Sequence, residues 1–288
     1  MTAVRENALR MFAEMVAAEN SHDVDGSRAA WAHDMQGYMN GVLSSSSRED
    51  DHLALAAMFQ VFAGYHVEVQ WVDANSDRLA YRWVFRGRHV GEWAGFPGTG
   101  NPIEFHGCTI DEHDGSALKV RRTHFDQGEM VRQLSGRVRA PGTASAAPAG
   151  RPIPEGERAR YEAAGERLIR TVYEAENVRD IEKQLACYAD PLLDHFAGRV
   201  NALPLSRARR NLPAWWESVP GLHREIEEVL AMGNRAVLRW HMTADELDGK
   251  PVDQHGCSVI EHDGERITKF WAYYPDLAQV FPAVLQLE

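Results

Sequence analysis

The sequence lacks the features that mark several common classes of protein. Its 288 residues include only three cysteines, so a complete set of disulfide bonds cannot form. No apolar run approaches the roughly 18 residues that a transmembrane helix needs. Acidic residues outnumber Lys and Arg by 42 to 31, and the net charge of −11 gives no overall basic surface for nucleic acid or an anionic membrane.

Motifs for metals and organic cofactors are missing as well. The 13 histidines include no His-x-x-x-His pair, and no Cys/His cluster has zinc spacing. Gly98-x-Gly100 is not followed by a helical pattern, so it is no dinucleotide motif, and there is no G-x-S-x-G sequence. We therefore expect neither a metal nor an organic cofactor.

The composition predicts a folded cytoplasmic protein of two domains. Apolar residues make up 44% of the chain and charged residues 25%, which is typical of globular proteins. The first 20 residues mix charged and apolar side chains at helical spacing, unlike the uninterrupted apolar segment of a signal peptide. With so few cysteines, we expect a cytoplasmic location. The length is that of about two domains.

An internal repeat is the main organising feature of the chain. HGCTIDEHDG begins at His106 and HGCSVIEHDG begins at His255, 149 residues later, and seven of the ten positions are identical. Upstream, the triplet Ala-Glu-Asn at 18–20 recurs at 175–177, a spacing of 157. The difference of eight residues lies in a Gly/Pro-rich loop between Trp83 and His106.

Residues 136–157 separate the two halves. This segment is rich in Ala, Pro and Gly, a composition that cannot build a core and is typical of a linker. We therefore predict a first domain at 1–135 and a second domain at 158–288, each long enough to bury its own core.

Both halves show the same order of patterns. Helical periodicity comes first, with short helices predicted at 22–34 and 178–190, and alternating runs such as 79–86 follow. A His-Asp-Gly turn then joins the last two strands. This order predicts two tandem α+β domains, each a curved antiparallel sheet wrapped over N-terminal helices to enclose a cone-shaped pocket.

The first half also carries the pattern of a known family. The pattern comprises an N-x-x-D segment, R-W on a strand, a G-E-x-x-G-x-P-x-T-G loop, an E-F-x-G strand, an Asp-Gly turn, a strand ending in Asp and a Q-L-x-G tail. The matching residues are Asn20, Asp23, Arg82, Trp83, Gly91, Glu92, Gly95, Pro97, Thr99, Gly100, Glu104, Phe105, Gly107, Asp114, Gly115, Asp126, Gln133, Leu134 and Gly136. On these residues, 1–136 resembles the SnoaL-like polyketide cyclases of the nuclear transport factor 2-like superfamily. Residues 158–288 are similar to the same superfamily but lack the Pro-x-Thr-Gly loop.

This resemblance implies both an assembly and a chemistry. It implies that two such domains pair through their sheets. Because this chain carries two of them in tandem, we predict that they pair within the chain as a pseudo-dimer with unequal pockets. The whole protein is then a single chain or a homodimer. The family's cyclases close rings by an intramolecular aldol reaction without a cofactor. We therefore expect a small carbonyl or polyketide-derived substrate, and no nucleic-acid or membrane partner.

The resemblance places the family's catalytic Asp at Asp126, the end of the last strand in the first half. Arg122, His124 and Asp126 follow one another at period two and so share one face. We predict Asp126 as the general acid/base, with His106 and His124 to orient it or to stabilise the enolate. Asp126 as a strand-end residue and His106 as a structural residue are the alternatives. The candidates for substrate binding are His33, Tyr38, Asn40, Trp83 and Arg122.

In the second half, two interpretations stay open. Either this domain carries its own pocket, or it is a diverged partner that covers the sheet of the first domain. The loss of the Pro-x-Thr-Gly loop favours the second interpretation. Pro275 shifts Asp276 by one position from the strict register of Asp126. The candidates in a second pocket are Asp190, His195, His255, Tyr273 and Asp276.

Three functions are compatible with these observations. The leading hypothesis is a cofactor-independent enzyme of the lyase or isomerase class that moves a proton next to a carbonyl. The second is a hydrolase or dehydratase in the same pocket, for instance on an epoxide, because epoxide-opening members of the superfamily use an Asp-Arg-Asp set. The third is a binding domain without catalysis, since the fold alone does not define the reaction.

Overall fold

The structure is a computed structural model that describes residues 3–93, 95–136, 153–154, 156–196, 199–247, 249–276 and 280. Contacts within the chain divide it into two units, Met1–Thr143 and Ala144–Glu288. Most of the predicted linker, 136–157, lies outside the described residues. Each unit is described below by itself.

The first unit contains a six-stranded mixed sheet in the order β2-β1-β6-β5-β4-β3. Its elements are α1 (Ala3–Asn20), α2 (Val24–Arg28), β1 (Trp31–Met39), β2 (Val42–Ser45), α3 (Arg48–Val61), β3 (Phe62–Ala74), β4 (Arg78–His89), β5 (Pro102–His113), β6 (Leu118–Phe125) and α4 (Gln127–Leu134). Its core joins residues of α1 and α4 to alternate residues of β4, β5 and β6. That face of the sheet is called the inner face below.

The second unit repeats this arrangement with the strand order β8-β7-β12-β11-β10-β9. Its elements are α5 (Arg158–Asn177), α6 (Ile181–Ala186), β7 (Tyr188–Phe196), β8 (Arg199–Leu203), α7 (Leu205–Ser218), β9 (His223–Met232), β10 (Arg235–Leu247), β11 (Lys250–His262) and β12 (Ile267–Tyr273). The two-domain α+β cone predicted from the sequence is therefore confirmed. None of the helices that the structure describes is both long and apolar enough to cross a membrane.

One strand pair in each sheet departs from the predicted antiparallel arrangement. β1 pairs with β6 in parallel, and β7 pairs with β12 in parallel. The short helices predicted at 22–34 and 178–190 were wrong at their C-terminal ends, because residues 31–34 belong to β1 and residues 188–190 belong to β7. A shift of register between Trp31 and Gln36 breaks the alternation of buried residues in β1. The period-two signal of a strand is therefore obscured in the sequence.

The repeated Asn-x-x-Asp segment has a structural role in both units. The Asn20 side chain accepts a hydrogen bond from the Val67 amide at 2.7 Å and donates one to the Val67 carbonyl at 2.9 Å. Asn177 makes the same pair of bonds to the backbone of Arg224. Asp23 and its counterpart cap the short helices that follow, so this motif joins the helices to the sheet.

The glycine of the repeated His-Gly-Cys triplet leaves space for a tryptophan. A Cβ atom at Gly107 would lie 2.2 Å from the ring of Trp83, and one at Gly256 would lie 2.2 Å from the ring of Trp240. Each indole therefore crosses the neighbouring strand where only glycine fits. The indole nitrogen of Trp83 donates a hydrogen bond to the Thr109 hydroxyl at 2.9 Å, which fixes the ring against the sheet.

Candidate active site

A cavity of roughly 300 Å³ lies on the inner face of the first unit. Its wall is mainly apolar, and it is built from the helices, the sheet and the Gly/Pro-rich loop. The apolar lining consists of Met15, Val16, Met39, Ala54, Leu55, Ala57, Met58, Val67, Trp83, Phe85, Trp93, Phe105, Phe125 and Met130. The charged lining consists of Glu19, Asp51 and Arg121. A mostly apolar cavity with a few convergent polar groups is the usual form of a small-molecule site.

Arg121 on β6 is the only cation among the lining residues that the structure describes. Its Nε lies 3.3 Å from Oδ1 of Asp111 on the neighbouring strand β5. Its guanidinium carbon lies 4.2 Å from the ring centre of Trp31, and an Nη contacts the Met15 sulfur at 3.3 Å. The side chain is 17% exposed. The guanidinium is thus fixed on several sides while part of it faces the cavity.

Three carboxyl groups interact electrostatically with this one guanidinium. Burial raises the pKa of Asp111 to about 6, although Arg121 opposes the shift. Burial likewise raises the pKa of Glu19 and of Asp51, again against the effect of Arg121. One positive charge cannot compensate three negative charges in a poorly solvated site. The three carboxyl groups therefore retain protons at a higher pH than ordinary carboxyls do. We call Glu19, Asp51, Asp111 and Arg121 the acid–arginine cluster.

Two tyrosine hydroxyls accompany the acid–arginine cluster. Tyr65 and Tyr81 both line the cavity, and burial raises the pKa of each well above its ordinary value. Both phenols therefore stay protonated at neutral pH and serve as hydrogen-bond donors. The site thus combines carboxyl groups whose chemistry allows proton exchange with hydrogen-bond donors that are able to stabilise a negative charge.

The second unit shows that the same fold forms without most of the acid–arginine cluster. The register of the two sheets makes Ile260 equivalent to Asp111 and Phe270 equivalent to Arg121. On the equivalent helices, Ala208 replaces Asp51. Only the glutamate persists, as Glu176. The cone therefore folds with apolar residues at three of these four positions, so those charges in the first unit are not a demand of the fold.

In the second unit, Glu176 has a different partner. The fully buried Arg224 forms a close ion pair with Glu176 and donates a hydrogen bond to the Tyr274 hydroxyl at 2.8 Å. Its guanidinium carbon lies 4.5 Å from the ring centre of Trp240. Arg224 occupies the position of Val67, which lines the cavity of the first unit. The glutamate and the guanidinium thus satisfy each other inside the second unit.

The residues predicted to act as acid and base lie elsewhere. His106 and His124 are on the face of the sheet opposite the inner face, since the alternate residues Phe105, Thr109 and Phe125 line the cavity. Their shared face was predicted correctly, but its expected orientation toward the pocket was wrong. The His106 ring is instead 3.6 Å from Glu104, which belongs to an ion-pair network on that outer face.

Asp126 is the N-cap of α4 and is not among the residues that line the cavity. Its carboxylate accepts a hydrogen bond from the Glu129 amide at 2.8 Å and lies 3.6 Å from Arg132. This placement corresponds to the structural alternative given above for Asp126. Its role as a base remains a prediction.

The predicted substrate-binding residues are divided between the cavity and other positions. Tyr38 and Trp83 line the cavity. Asn40 is buried, and its Oδ1 accepts a hydrogen bond from the Phe125 amide at 3.1 Å. Arg122 pairs with Glu112 on the outer face, and His33 is exposed.

The candidates in the second unit are not brought together. Asp190 is exposed and accepts a hydrogen bond from the Leu205 amide at the start of α7. His195 stacks on Trp271, and His255 lies 2.9 Å from Glu227. Tyr273 is buried, whereas Asp276 is exposed.

The sequence reasoning missed the acid–arginine cluster because its members come from α1, α3, β5 and β6. One signal was available, because aligning the repeats shows charged residues at 51, 111 and 121 where the second half has apolar ones. Asp194 was also missed. It is largely buried in β7, its Oδ1 has no hydrogen-bond partner among the described residues, and burial raises its pKa to about 7.

The fold and the cavity define a cone of the nuclear transport factor 2-like type that contains the acid–arginine cluster. Residues 6–134 match the family model of the SnoaL-like polyketide cyclases, and residues 169–270 match that of the SnoaL-like domain. The chain is therefore a tandem of two SnoaL-like domains.

Solved structures resemble single halves of the chain. AclR of Streptomyces galilaeus is 22% identical with a TM-score of 0.42, and the match covers 46% of this chain and 98% of AclR. A Jannaschia sp. CCS1 protein assigned to the SnoaL-like polyketide cyclases is 14% identical with a TM-score of 0.44, covering 47% of this chain and 96% of that one. An LEH-like epoxide hydrolase of M. tuberculosis is 18% identical with a TM-score of 0.39, covering 47% and 89%. No curated protein shows significant sequence similarity.

Proposed function

We propose that the first unit is a cofactor-independent acid–base enzyme for a small, mainly apolar carbonyl compound. The observation that carries this proposal is that Glu19 and Asp51, both with raised pKa values, face an apolar cavity beside Arg121. A carboxyl group whose pKa is raised toward neutrality can both accept and return a proton during one turnover. A volume of roughly 300 Å³ suits a compound at the lower end of the usual ligand range.

The reaction begins with an ionised carboxylate of the acid–arginine cluster, which removes a proton from the carbon next to the carbonyl. Arg121 and a tyrosine hydroxyl stabilise the negative charge that develops on the enolate oxygen. In an isomerisation, the carboxyl group returns the proton to a different carbon. In a cyclisation, the enolate carbon bonds to a second carbonyl carbon, and the oxygen of that carbonyl takes the proton.

Hydration of an epoxide is the second candidate, and the placement of several carboxyls around one guanidinium favours it. One carboxylate would take a proton from water while the water oxygen attacks an epoxide carbon. A second, protonated carboxyl would give its proton to the epoxide oxygen as the carbon–oxygen bond breaks, and a diol would result. Raised pKa values supply the protonated partner that this reaction needs.

Isotope incorporation distinguishes these reactions. The protein is incubated with a panel of apolar ketones and epoxides of suitable volume, in D2O and in H2¹⁸O. Reversible enolate formation places deuterium on the carbon next to the carbonyl, isomerisation places it on the carbon that receives the proton, and cyclisation of a dicarbonyl compound gives a new cyclic product. The epoxide reaction places one ¹⁸O in the diol. Binding of panel compounds with neither isotope incorporation nor a new product would contradict an enzymatic function and support a binding domain.

The second unit suggests a control variant for the first unit. The double substitution Asp111→Ile/Arg121→Phe installs in the first unit the pair that the second unit carries at 260 and 270. We expect this variant to fold and to lose isotope exchange. Exchange at the wild-type rate in the folded variant would overturn the assignment of the acid–arginine cluster.

A further inference from the structure

We propose that the outer face of the second sheet carries a site for a divalent transition metal, formed by His241, Asp253 and His255. One ligand atom from each of these residues lies within 4.8 Å of the other two. Zinc binds imidazole nitrogen and carboxylate oxygen at about 2.0–2.2 Å, so a tetrahedral ion holds its ligand atoms roughly 3.3 Å apart. Small side-chain movements close that difference. The site is independent of the function proposed for the first unit.

Strand register brings the three ligands together. His241 on β10 lies directly opposite His255 on β11, and Thr243 lies opposite Asp253. The two histidines and Asp253 therefore share one face, while Trp240 and Met242, the neighbours of His241 on β10, point into the core. Their side chains are 27%, 66% and 36% exposed for His241, Asp253 and His255, so an ion has access from solvent.

The hydrogen bonds of the cluster match those of a metal site. Nδ1 of His255 lies 2.9 Å from Oε1 of Glu227, an arrangement that leaves Nε2 of the ring with the lone pair. Histidine ligands of metals are commonly oriented by a carboxylate in this way. Nε2 of His241 lies 2.6 Å from Oδ1 of Asp253, and an ion that binds both atoms takes the place of the shared proton.

The two imidazole rings are stacked, with centroids 4.3 Å apart and planes 7° from parallel. A metal lies near the plane of each imidazole that binds it, so the rings must tilt toward each other when an ion binds. Rotation about χ2 of histidine is broad and costs little in side chains that are partly exposed. The local charge favours a cation, because Glu227 and Glu228 pair with the same guanidinium, that of Arg239, and Asp253 adds a third carboxylate beside His241.

The first unit provides the natural control. His106 and Glu104 occupy the positions of His255 and Asp253, but Val84 stands where the second unit has His241. A pair of one histidine and one carboxylate is left there, which supplies one ligand fewer. Nickel and copper also bind imidazole, so the site selects the class of metal and not one element.

The site is tested on the full-length chain without an affinity tag by calorimetric titration with Zn²⁺. We expect one saturable site per chain. His241→Gln or His255→Gln is expected to weaken binding at least ten-fold, while His106→Gln leaves it unchanged. Glu227→Gln, which removes the carboxylate that orients His255 and also pairs with Arg239, is expected to weaken binding by about 10–100-fold. Each variant is checked for folding by circular dichroism.

Thermal unfolding supplies the second measurement. Zn²⁺ is expected to raise the Tm of the wild type and of His106→Gln but not of His255→Gln, because binding to the folded state alone stabilises it. The proposal is overturned if the wild type shows no saturable binding. It is equally overturned if His241→Gln and His255→Gln bind Zn²⁺ as the wild type does, because the ion would then occupy other side chains.

Discussion

Asp111 makes the stability of the first unit depend on pH in a direction opposite to that of most carboxylates. Its pKa is raised from 3.8 to about 6 because it is fully buried, and Arg121 compensates that burial only in part. In the folded protein this group therefore binds its proton more tightly than in the unfolded chain. Its contribution to stability is fully present below about pH 4, and it is lost as the pH rises through about 6.

The size of this effect follows from the shift. A difference of about two pKa units corresponds to about 3 kcal/mol in the free energy of unfolding, since one unit is worth 1.36 kcal/mol. Asp111→Asn keeps the shape of the side chain and removes the titration. We therefore expect the wild type to lose about 3 kcal/mol relative to the variant between about pH 4 and pH 7.

The assay is urea unfolding of both proteins across this pH range. Contributions of the second unit are the same in both proteins and cancel in the difference. Asp114→Asn is the control with the opposite sign, because Lys119 and Ser116 lower the pKa of the exposed Asp114. A constant difference between wild type and Asp111→Asn across the range would refute the reasoning, and so would a difference that grows in favour of the wild type.

Three further predictions concern the fold. Gly107→Ala places a Cβ atom against the Trp83 ring and should destabilise the protein by about 1–3 kcal/mol in urea unfolding. A variant as stable as the wild type would contradict the packing argument. Asn20→Ala leaves the partly buried backbone groups of Val67 without their side-chain partner and should cost about 1–3 kcal/mol, measured in the same way. An unchanged unfolding midpoint would contradict that role. If the two halves pair within one chain, as the sequence predicts, light scattering should give the mass of a single chain, and a particle of two chains would indicate a further interface or pairing between chains.

The sequence predicted the fold more completely than the site. The repeat, the alternation in 79–86 and the His-Asp-Gly turns were enough to define two α+β cones. The strands β1 and β7 were missed because register shifts obscure their alternation, and their parallel pairing could not be predicted because each parallel partner lies more than 70 residues away in the chain. Local periodicity carries no information about such a partner.

The orientation of His106 and His124 relative to the cavity could not be predicted, for a physical reason. Alternation shows which residues share a face, but it identifies the inner face only when one side is polar. In β5 both faces are buried, since Cys108 and Ile110 on one side are as inaccessible as Asp111 on the other. The shared parity of His106 and His124 therefore could not indicate the cavity.

The central claim is that the acid–arginine cluster, and not the end of the last strand, moves the proton. The most direct measurement compares kcat/KM of Asp51→Asn and Asp126→Asn on the first substrate that shows isotope exchange. We predict a loss of about 10²–10⁴-fold for Asp51→Asn. Asp126→Asn should stay close to wild type, because Asn serves equally well as the N-cap of α4. A collapse of turnover in Asp126→Asn with near-normal turnover in Asp51→Asn would contradict the account.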